Sequence, residues 1–266
     1  MGGPAVPRVT AQAIAAAGSV TKLIVSLIEV LRASSQMELV EKAAAALRSL
    51  AIQGRQADES MDNSEIITSS GGLPPMVLLL NTGSTVAQTH VCSTIALVTR
   101  SSTEHQLAVG RLGGLGFLVA ILKAGGNSAQ EQAAAAVASL SQAAANQAPL
   151  IKAGAIPPLV NLLKAGSSEA QLGASEALGN LVASSPDAQL TVLRAGGVKR
   201  ILALLGSGKA QEFAARAIAK LAHENLAVQT EVCKEGGVAL LLALLSGINV
   251  EAQTQAAVAL DRKSVV

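Results

Sequence analysis

Apolar residues lie three and four positions apart through most of the chain, and the apolar runs themselves recur about every 42 residues. The first run, from Ser19 to Leu31, places its apolar side chains on one face of a helix. Each run ends in a leucine, and the leucines are 49, 42, 41, 42 and 40 residues apart: Leu31, Leu80, Leu122, Leu163, Leu205 and Leu245. This period is typical of stacked helical repeats, in which each unit buries its apolar face against its neighbours.

Glycine precedes each apolar run from the second to the sixth, and it predicts how a unit folds. These glycines are Gly71, Gly113, Gly154, Gly196 and Gly236. A glycine after a helix can adopt a left-handed conformation without steric cost, and a proline, present after Gly71 and Gly154, fits the first turn of the next helix. We therefore expect each unit to contain a short helix, a glycine turn, a longer apolar helix and a third helix.

The first unit differs from the others in two ways. Residues 9–17 resemble the short helix of the later units and run into Gly18, which predicts that the first repeat begins almost at the N-terminus. Residues 54–65 are polar and charged, and they account for the long first interval. We expect this segment to form an enlarged surface loop.

Polar residues predict where several helices begin. Serine followed three residues later by glutamate is a capping-box pattern, and it occurs at Ser35 and Ser128, in front of two third helices. The Ser-Pro-Asp run at residues 185–187 predicts the start of a short helix.

Composition narrows the range of partners and environments. Hydrophobic residues make up 50% of the chain and aromatic residues 1%, so we expect a core of Ala, Leu, Val and Ile with closely packed helices. A net charge of +2 and the lack of Trp and Tyr argue against nucleic-acid binding. The uncharged segment 66–99 is interrupted by proline and glycine, and the N-terminus has no long apolar stretch, so we expect no membrane anchor.

The two cysteines bear on localisation. Cys92 and Cys233 lie far apart in helical runs, which is typical of reduced core residues and favours a cytoplasmic or nuclear protein, or both. The acid-poor N-terminus, which contains Arg8, leaves a transit peptide as an alternative.

Catalytic chemistry has little support in the sequence. His90, His105 and His223 fall in different units, and none has a neighbouring Cys or acid at metal-ligand spacing. The glycine-rich segment 113–116 lies at an inter-helix turn and has no preceding strand, unlike a dinucleotide site. We therefore expect no catalytic residues, no metal and no cofactor, and we do not expect an enzyme.

The unit resembles the armadillo repeat, and residues 154–182, GAIPPLVNLLKAGSSEAQLGASEALGNLV, are close to that family's consensus. HEAT repeats have a similar length, but the Gly-Ala-Ile-Pro-Pro turn and the three-helix division favour armadillo. The resemblance implies an all-α fold, a right-handed armadillo-repeat superhelix (α-solenoid) of about six repeats, forming a single domain over residues 1–266. The approximate units are 9–70, 71–112, 113–153, 154–195, 196–235 and 236–261.

The resemblance also implies a function. In armadillo proteins the third helices line a concave groove that holds an extended segment of another protein, so we expect a non-catalytic interaction scaffold or adaptor. Family members that bind basic peptides carry an Asn ladder with Trp one turn before each Asn. Here the Asn positions are Ser49, Leu97, Ser139, Asn180, Lys220 and Leu260, and the Trp positions are Ala45, Ser93, Ala135, Glu176, Arg216 and Ala256. This disfavours a nuclear transport adaptor; the substrate-recruiting region of a ubiquitin ligase is the other alternative.

Polar groove positions cluster in units four and five. The candidate partner-binding residues are Glu176, Asn180, Glu212, Arg216 and Lys220, spaced four residues apart within each helix. Asn180 could bind a partner's backbone through its amide, and the two cations could bind carboxylates or phosphates. The alternative is a solvated helix face held by Glu-to-Arg and Glu-to-Asn pairs. Phe117 and Phe213 are predicted to be core residues.

The last unit has few charges. Residues 237–246 carry none, and in the third helix that follows only Glu251 precedes Asp261. We expect an exposed apolar edge and self-association through this unit, unless the natural chain continues or another domain covers the edge.

Overall fold

The computed structural model describes residues 11–54, 63–183, 185–206 and 208–261. These residues form seventeen α-helices and one 3₁₀ turn, with no strand among them, and 83% of them are helical. The predicted all-α fold is confirmed. Within the described residues no single helix is long and apolar enough to span a membrane; Thr103–Arg111 and Gly114–Ala124, bent by 82°, meet that criterion only as a joined pair.

The helices fall into three classes according to their place in the unit. The short first helices are α3 (Asn63–Ser69), α6 (Thr103–Arg111), α9 (Ala144–Ala153), α12 (Pro186–Arg194) and α15 (Leu226–Lys234). The second helices are α1 (Ala11–Ala33), α4 (Leu73–Thr82), α7 (Gly114–Ala124), α10 (Ile156–Ala165), α13 (Gly197–Ala203, followed by the 3₁₀ turn Leu204–Gly206) and α16 (Gly237–Leu245). The third helices are α2 (Met37–Gly54), α5 (Thr85–Thr99), α8 (Asn127–Leu140), α11 (Ser168–Leu181), α14 (Gln211–Ala222) and α17 (Val250–Leu260).

Equivalent helices stack on one another from unit to unit. Each third helix packs against the next, in the order α2, α5, α8, α11, α14 and α17, and the second helices form a parallel row behind them. One hydrophobic cluster runs through the whole stack, from Ile24 in α1 to Ala259 in α17. The described residues therefore form a solenoid with a continuous core, as the period of the sequence predicts.

The glycine turns are confirmed at every predicted position. Gly71, Gly113, Gly154, Gly196 and Gly236 all have positive φ, between 70° and 83°. Gly154 is typical: it ends α9 with φ 83°, and its N–H bonds back to the carbonyl of Ile151. Any residue with a Cβ would be strained in this conformation, which explains why glycine marks each unit boundary.

Two predictions for the first unit are wrong. No turn occurs at Gly18, because α1 is continuous from Ala11 to Ala33. A glycine inside a helix costs only about 1 kcal/mol relative to alanine, too little to end a helix flanked by good helix formers. In the predicted loop 54–65, residues 63–65 form the first turn of α3, where buried Asn63 donates to the carbonyl of Leu50 at 2.8 Å. Residues 55–62 lie outside the described residues.

The predicted helix starts are partly confirmed. Ser185 caps α12 by accepting a hydrogen bond from the backbone N–H three residues on, at 3.2 Å. The capping box at Ser128 is wrong, since α8 is capped by Gly126 and Ser128 lies inside its first turn. α2 begins at Met37, two residues after Ser35, and the side-chain bond that fixes its start comes from Ser34, whose Oγ accepts from the N–H of Gln36 at 3.1 Å.

In units two to six, a recurring glutamine joins the end of the second helix to the third helix of the same unit. Its Nε2 donates to the carbonyl of the leucine that ends the apolar run, and the donors are Gln88, Gln130, Gln171, Gln211 and Gln253. Their acceptors are Leu80, Leu122, Leu163, Leu205 and Leu245, at 2.7 to 3.2 Å. The carbonyls at a helix C-terminus have no partner within their helix, so this bond satisfies one of them in each of these units. We call these contacts the glutamine locks.

The cysteines are only partly as predicted. Neither Cys92 nor Cys233 forms a disulfide, and Cys92 is fully buried, which raises its pKa to about 12. Cys233 is exposed on α15, so its assignment to the core is wrong. Helical periodicity places a cysteine on a helix but does not determine which side of that helix the neighbouring unit covers.

Candidate functional site: the third-helix face

The third helices present one accessible side along the solenoid, which we call the third-helix face. On α11 it carries Leu172, Glu176 and Asn180, and on α14 it carries Glu212, Phe213, Arg216 and Lys220. All these side chains are half-buried. The structure therefore places the five predicted binding residues on one surface formed by two neighbouring helices.

The face is closed in units two and three, because its polar side chains bond to one another. Ser93 on α5 is 7% exposed and accepts a hydrogen bond from Nε of Arg48 at 3.1 Å. Ser139 on α8 is 3% exposed, and its hydroxyl lies 2.7 Å from that of Thr99. These side chains hold neighbouring third helices together and offer a partner little polar surface.

Asn180 and Glu176 on α11 are also committed to the preceding unit. The amide nitrogen of Asn180 donates to the carbonyl of Ala138 at 3.3 Å and to the hydroxyl of Ser141 at 3.2 Å. Glu176 accepts from the side-chain amide of Gln142 at 3.2 Å. The prediction that Asn180 offers its amide donors to a partner is therefore wrong, since both are used between the units.

α14 is different, because its cations have no such partner. Arg216 lies over the ring of Phe213, 4.7 Å from the centroid, where the ring face attracts the guanidinium. Within the described residues neither Arg216 nor Lys220 forms an ion pair within 4.0 Å. The Glu-to-Arg pair expected of a solvated helix face, Glu212 with Arg216, is thus absent from this part of the chain.

The aromatic residues have different roles. Phe117 on α7 is partly buried and packs against the core, as predicted. Phe213 lies on the third-helix face beneath Arg216, so its assignment to the core is wrong. It supports a cation that a partner could reach.

The electrostatic environment of α14 is positive. Burial lowers the pKa of Lys220, the nearby guanidinium of Arg216 lowers it further, and Glu176 opposes the shift without cancelling it. The direction means that the charged form of Lys220 is less stable in the folded protein than in water. An anion brought to this point would relieve that cost.

A hollow of about 390 Å³ opens beside these cations, between α14 and α17. It is lined by Arg216, Lys220, His223, Ala219 and Ala183 and, from α17, by Gln255 and Val258. We call it the α14–α17 hollow. His223 and Gln255 were not among the predicted site residues. A signal for His223 existed in the sequence, since it lies about one helical turn beyond Lys220.

A smaller hollow of about 180 Å³ lies between α8 and α11 and is mainly acidic. We call it the α8–α11 hollow. Its carboxylates come from Glu131, Glu169 and Glu176, and each has a partner: Glu131 accepts from the hydroxyl of Ser167, Glu169 pairs with Lys209 at 3.0 Å, and Glu176 accepts from Gln142. Its carboxylates therefore serve contacts between units.

The histidines do not form a metal site within the described residues, where no group of three or more His, Cys, Asp or Glu could hold an ion. His90 is half-buried, and its pKa is lowered by burial and by Arg48, while Glu41 opposes the shift. His105 bonds through Nδ1 to the carbonyl of Val98 at 3.1 Å. His223 lines the α14–α17 hollow.

The apolar edge predicted for unit six is present. Leu242 on α16 is 53% exposed, Ile248 is fully exposed, and Val250 on α17 is 65% exposed. The side of α16 and α17 that faces away from α13 and α14 is therefore mainly hydrocarbon.

Comparison with known proteins agrees with this architecture. The model of the Armadillo/beta-catenin-like repeat family matches residues 144–183. This segment extends from the first residue of α9 to just beyond α11, and it therefore contains one complete set of first, second and third helices. No curated protein sequence matches the chain.

Solved structures are similar along almost the whole chain. An engineered protein is 28% identical, with a TM-score of 0.75, and the alignment covers 91% of this chain and 95% of that chain. A designed armadillo repeat protein is 24% identical, with a TM-score of 0.75 and coverage of 90% and 98%. Another, in complex with the peptide (KR)4, is 24% identical, with a TM-score of 0.72 and the same coverage. The matched repeat, the stacked three-helix units and these similar structures show an armadillo-type α-solenoid and support the armadillo-repeat family for this chain.

Proposed function

We propose that this protein is a non-catalytic interaction scaffold that holds an extended segment of a partner protein along its third-helix face, mainly in units four to six. The observation that carries the proposal is the state of α14. Arg216 and Lys220 are accessible, border a hollow of about 390 Å³ and lack an ion pair in the described part of the chain. Half-buried cations without an internal partner cost stability, and they are commonly kept for binding.

The similar structures support a peptide as the partner. A designed protein of the same fold is in complex with (KR)4, so an armadillo solenoid can hold a peptide. The cations on α14 would repel such a basic segment here, and the amide donors of Asn180 are already used. No observation therefore favours a nuclear transport adaptor, and none bears on a role in a ubiquitin ligase. A cytoplasmic or nuclear location remains part of the proposal, supported by two cysteines that form no disulfide.

Affinity capture with matched baits tests the scaffold function. The wild-type chain, the double variant R216E/K220E and the control K152E/K164E would be immobilised, and captured proteins quantified by mass spectrometry. Lys152 and Lys164 are exposed on α9 and α10, so the control makes the same change in charge outside the third-helix face. We expect specific partners that R216E/K220E loses about tenfold and the control retains, with weaker salt dependence of the remaining binding.

Stability must be measured in parallel. Both variants should melt within a few degrees of wild type, because exposed charges contribute only about 0–1 kcal/mol. Capture that is the same for all three baits would rule out α14 as the binding surface.

We also propose self-association through unit six, supported by the exposed side chains of α16 and α17. Light scattering from micromolar to near-millimolar concentration should show a rising mass, and L242E/V250E should suppress it, because burying a glutamate in an apolar contact is unfavourable. The control V86E changes an exposed apolar residue on α5, remote from unit six. A constant monomer mass for the wild-type chain would refute this proposal.

A further inference from the structure

We infer that the α14–α17 hollow binds the phosphoryl group of a phosphorylated serine or threonine in the partner segment. This inference rests on the proposed function and specifies the chemistry of its binding site. It follows from the donors that line the hollow, from the way the helix ends around it are neutralised, and from its position on the third-helix face.

The hollow contains more hydrogen-bond donors than a carboxylate can use. Arg216 has five N–H donors, Lys220 has three, and the amide of Gln255 has two. His223 adds at least one more in either tautomer. A carboxylate accepts through two oxygens, whereas a phosphoryl group carries three strong acceptors and a charge of about −1.5 to −2. The donor set therefore matches a phosphoryl group better.

Arg216 is held in place before any ligand arrives. Its guanidinium stacks on Phe213, which restricts the long side chain and leaves the N–H edges free to donate. A planar guanidinium can bind two phosphate oxygens at once. Less conformational freedom is then lost on binding than with an unrestrained arginine.

The C-terminus of α14 would normally repel an anion, because its last carbonyls carry partial negative charge. Here two of these carbonyls are already hydrogen-bonded by side-chain amides from neighbouring short helices. Gln189 donates to the carbonyl of Lys220 at 3.0 Å, and Gln229 donates to that of Ala222 at 2.8 Å. The arrangement reduces the repulsion at the point where Lys220 and His223 enter the hollow.

The neighbouring acids do not line the hollow. Glu212 lies one helical turn before Arg216, Glu251 one turn before Gln255, Glu224 directly follows His223, and Glu176 is bonded to Gln142. The pKa of Lys220 is lowered first by burial and then by the nearby positive charge of Arg216, while Glu176 opposes the shift. A dianion would neutralise the charges of Lys220 and Arg216, whereas a neutral serine hydroxyl would not.

A polypeptide is the expected source of the phosphoryl group. The hollow opens on the face that the proposed partner segment follows, and its remaining walls are the small or apolar side chains of Ala183, Ala219 and Val258. These walls can contact the short carbon stem of a phosphorylated serine or threonine, which a free phosphate ion lacks.

The test uses degenerate peptide pools on the full chain. Three fluorescent pools with randomised flanks would carry phosphoserine, serine or glutamate at a fixed central position, and binding would be measured by anisotropy. We expect the phosphoserine pool to bind at least about tenfold more tightly than the other two, as one additional charge-assisted hydrogen bond would provide. R216Q/K220Q should abolish this preference, and K152Q/K164Q should retain it.

Each other outcome overturns the inference. Equal binding of the phosphoserine and glutamate pools would assign the hollow to carboxylates, and equal binding of all three pools would mean that it recognises no anion. Inorganic phosphate that competes as well as the phosphopeptides would exclude a polypeptide source, as would preferential binding to vesicles containing phosphoinositides. If no pool binds while captured partners still depend on Arg216 and Lys220, the inference fails and the scaffold function stands. If capture is also insensitive to these residues, both fail.

Discussion

The two hollows on the third-helix face show how the same fold can use charge for two purposes. Between α8 and α11, every carboxylate that lines the hollow bonds to a side chain of a neighbouring segment. Between α14 and α17, Arg216 and Lys220 have no ion pair among the described residues, and Arg216 lies over the ring of Phe213. The first hollow is part of what holds the solenoid together, and the second is open to a ligand.

The third helices α11 and α14 also differ in the residue at one equivalent position. Gly173 on α11 faces α8, and a Cβ at this position would lie 3.1 Å from the backbone nitrogen of Ala135. The equivalent residue on α14, 40 positions later, is Phe213. A close approach of helices leaves no room for a side chain, whereas a wider separation admits an aromatic ring and a cavity beside it. The close approach of α8 and α11 therefore excludes a side chain at residue 173, whereas the equivalent position on α14 holds an aromatic ring.

The largest expected effect comes from wedging α8 and α11 apart. Gly173→Leu should lower the free energy of unfolding by about 2–3 kcal/mol, because overpacking a close helix contact forces the backbone to shift. Urea unfolding followed by circular dichroism measures it. If Gly173→Leu kept the helical signal and the urea midpoint of wild type, the contact between α8 and α11 would not be tight.

Alanine substitutions on the two sides of α11 provide the matched comparison. Gly179 faces α14, where a Cβ would lie 3.5 Å from Cα of Ala217, an ordinary contact distance. Both substitutions gain about 0.8–1 kcal/mol of helix propensity. We expect Gly179→Ala to stabilise the protein by about that amount and Gly173→Ala to lose most of the gain to strain. Equal stabilisation would remove the distinction between the two helix contacts.

A second, intermediate effect is expected at the glutamine locks. Gln130→Leu leaves the carbonyl of Leu122 without its donor in an interior unit and should cost about 1–2 kcal/mol. Gln253→Leu makes the same change in unit six, where the bond to Leu245 is exposed. Because water can replace the amide there, this substitution should cost only about 0.3 kcal/mol. Urea midpoints of the two variants provide the comparison, and a larger loss for Gln253→Leu would contradict it.

The fold was largely predictable from the sequence, because each unit boundary depends on a local requirement. A left-handed turn requires glycine, and the leucine spacing fixes the helix face, so Gly113 and Leu122 identify their elements without any tertiary information. The prediction for Gly18 was wrong because a glycine between good helix formers is compatible with both a turn and a helix. Only the packing of α1 against the rest of the unit decides between them.

The candidate site was less predictable, because its pairings involve residues about 40 positions apart. Asn180 was correctly placed on the third-helix face, yet its amide is committed to Ala138, 42 residues earlier. Gln255 was missed because a hollow formed by two helices of different units has no signature within either helix. Periodicity predicts which side of a helix is accessible, and it does not predict which accessible groups already have partners.

The smallest expected effect is the pH dependence contributed by Lys220. Its pKa is lowered in the folded protein, so between that lowered value and the unfolded value of 10.5 the unfolded chain binds more protons. Stability therefore rises with pH through this window, and at neutral pH the charged lysine is a small cost. Lys220→Gln should unfold at a slightly higher urea concentration at pH 7, by no more than about 0.5 kcal/mol, since solvent screens a half-exposed charge.

The difference in the free energy of unfolding between wild type and Lys220→Gln should shrink as the pH approaches 10.5. In this range the wild-type lysine loses its proton in the folded state before it does so in the unfolded state. Lys164→Gln, at an exposed site on α10, removes an equal charge and serves as the control, for which we expect no such convergence. Urea titrations at pH 7, 9 and 10.5 measure both differences. If Lys220→Gln is more stable than wild type and no longer binds the anionic ligand, the α14–α17 hollow keeps this lysine for binding at the expense of stability. If the variant is less stable, Lys220 has the same structural role as the acids between α8 and α11.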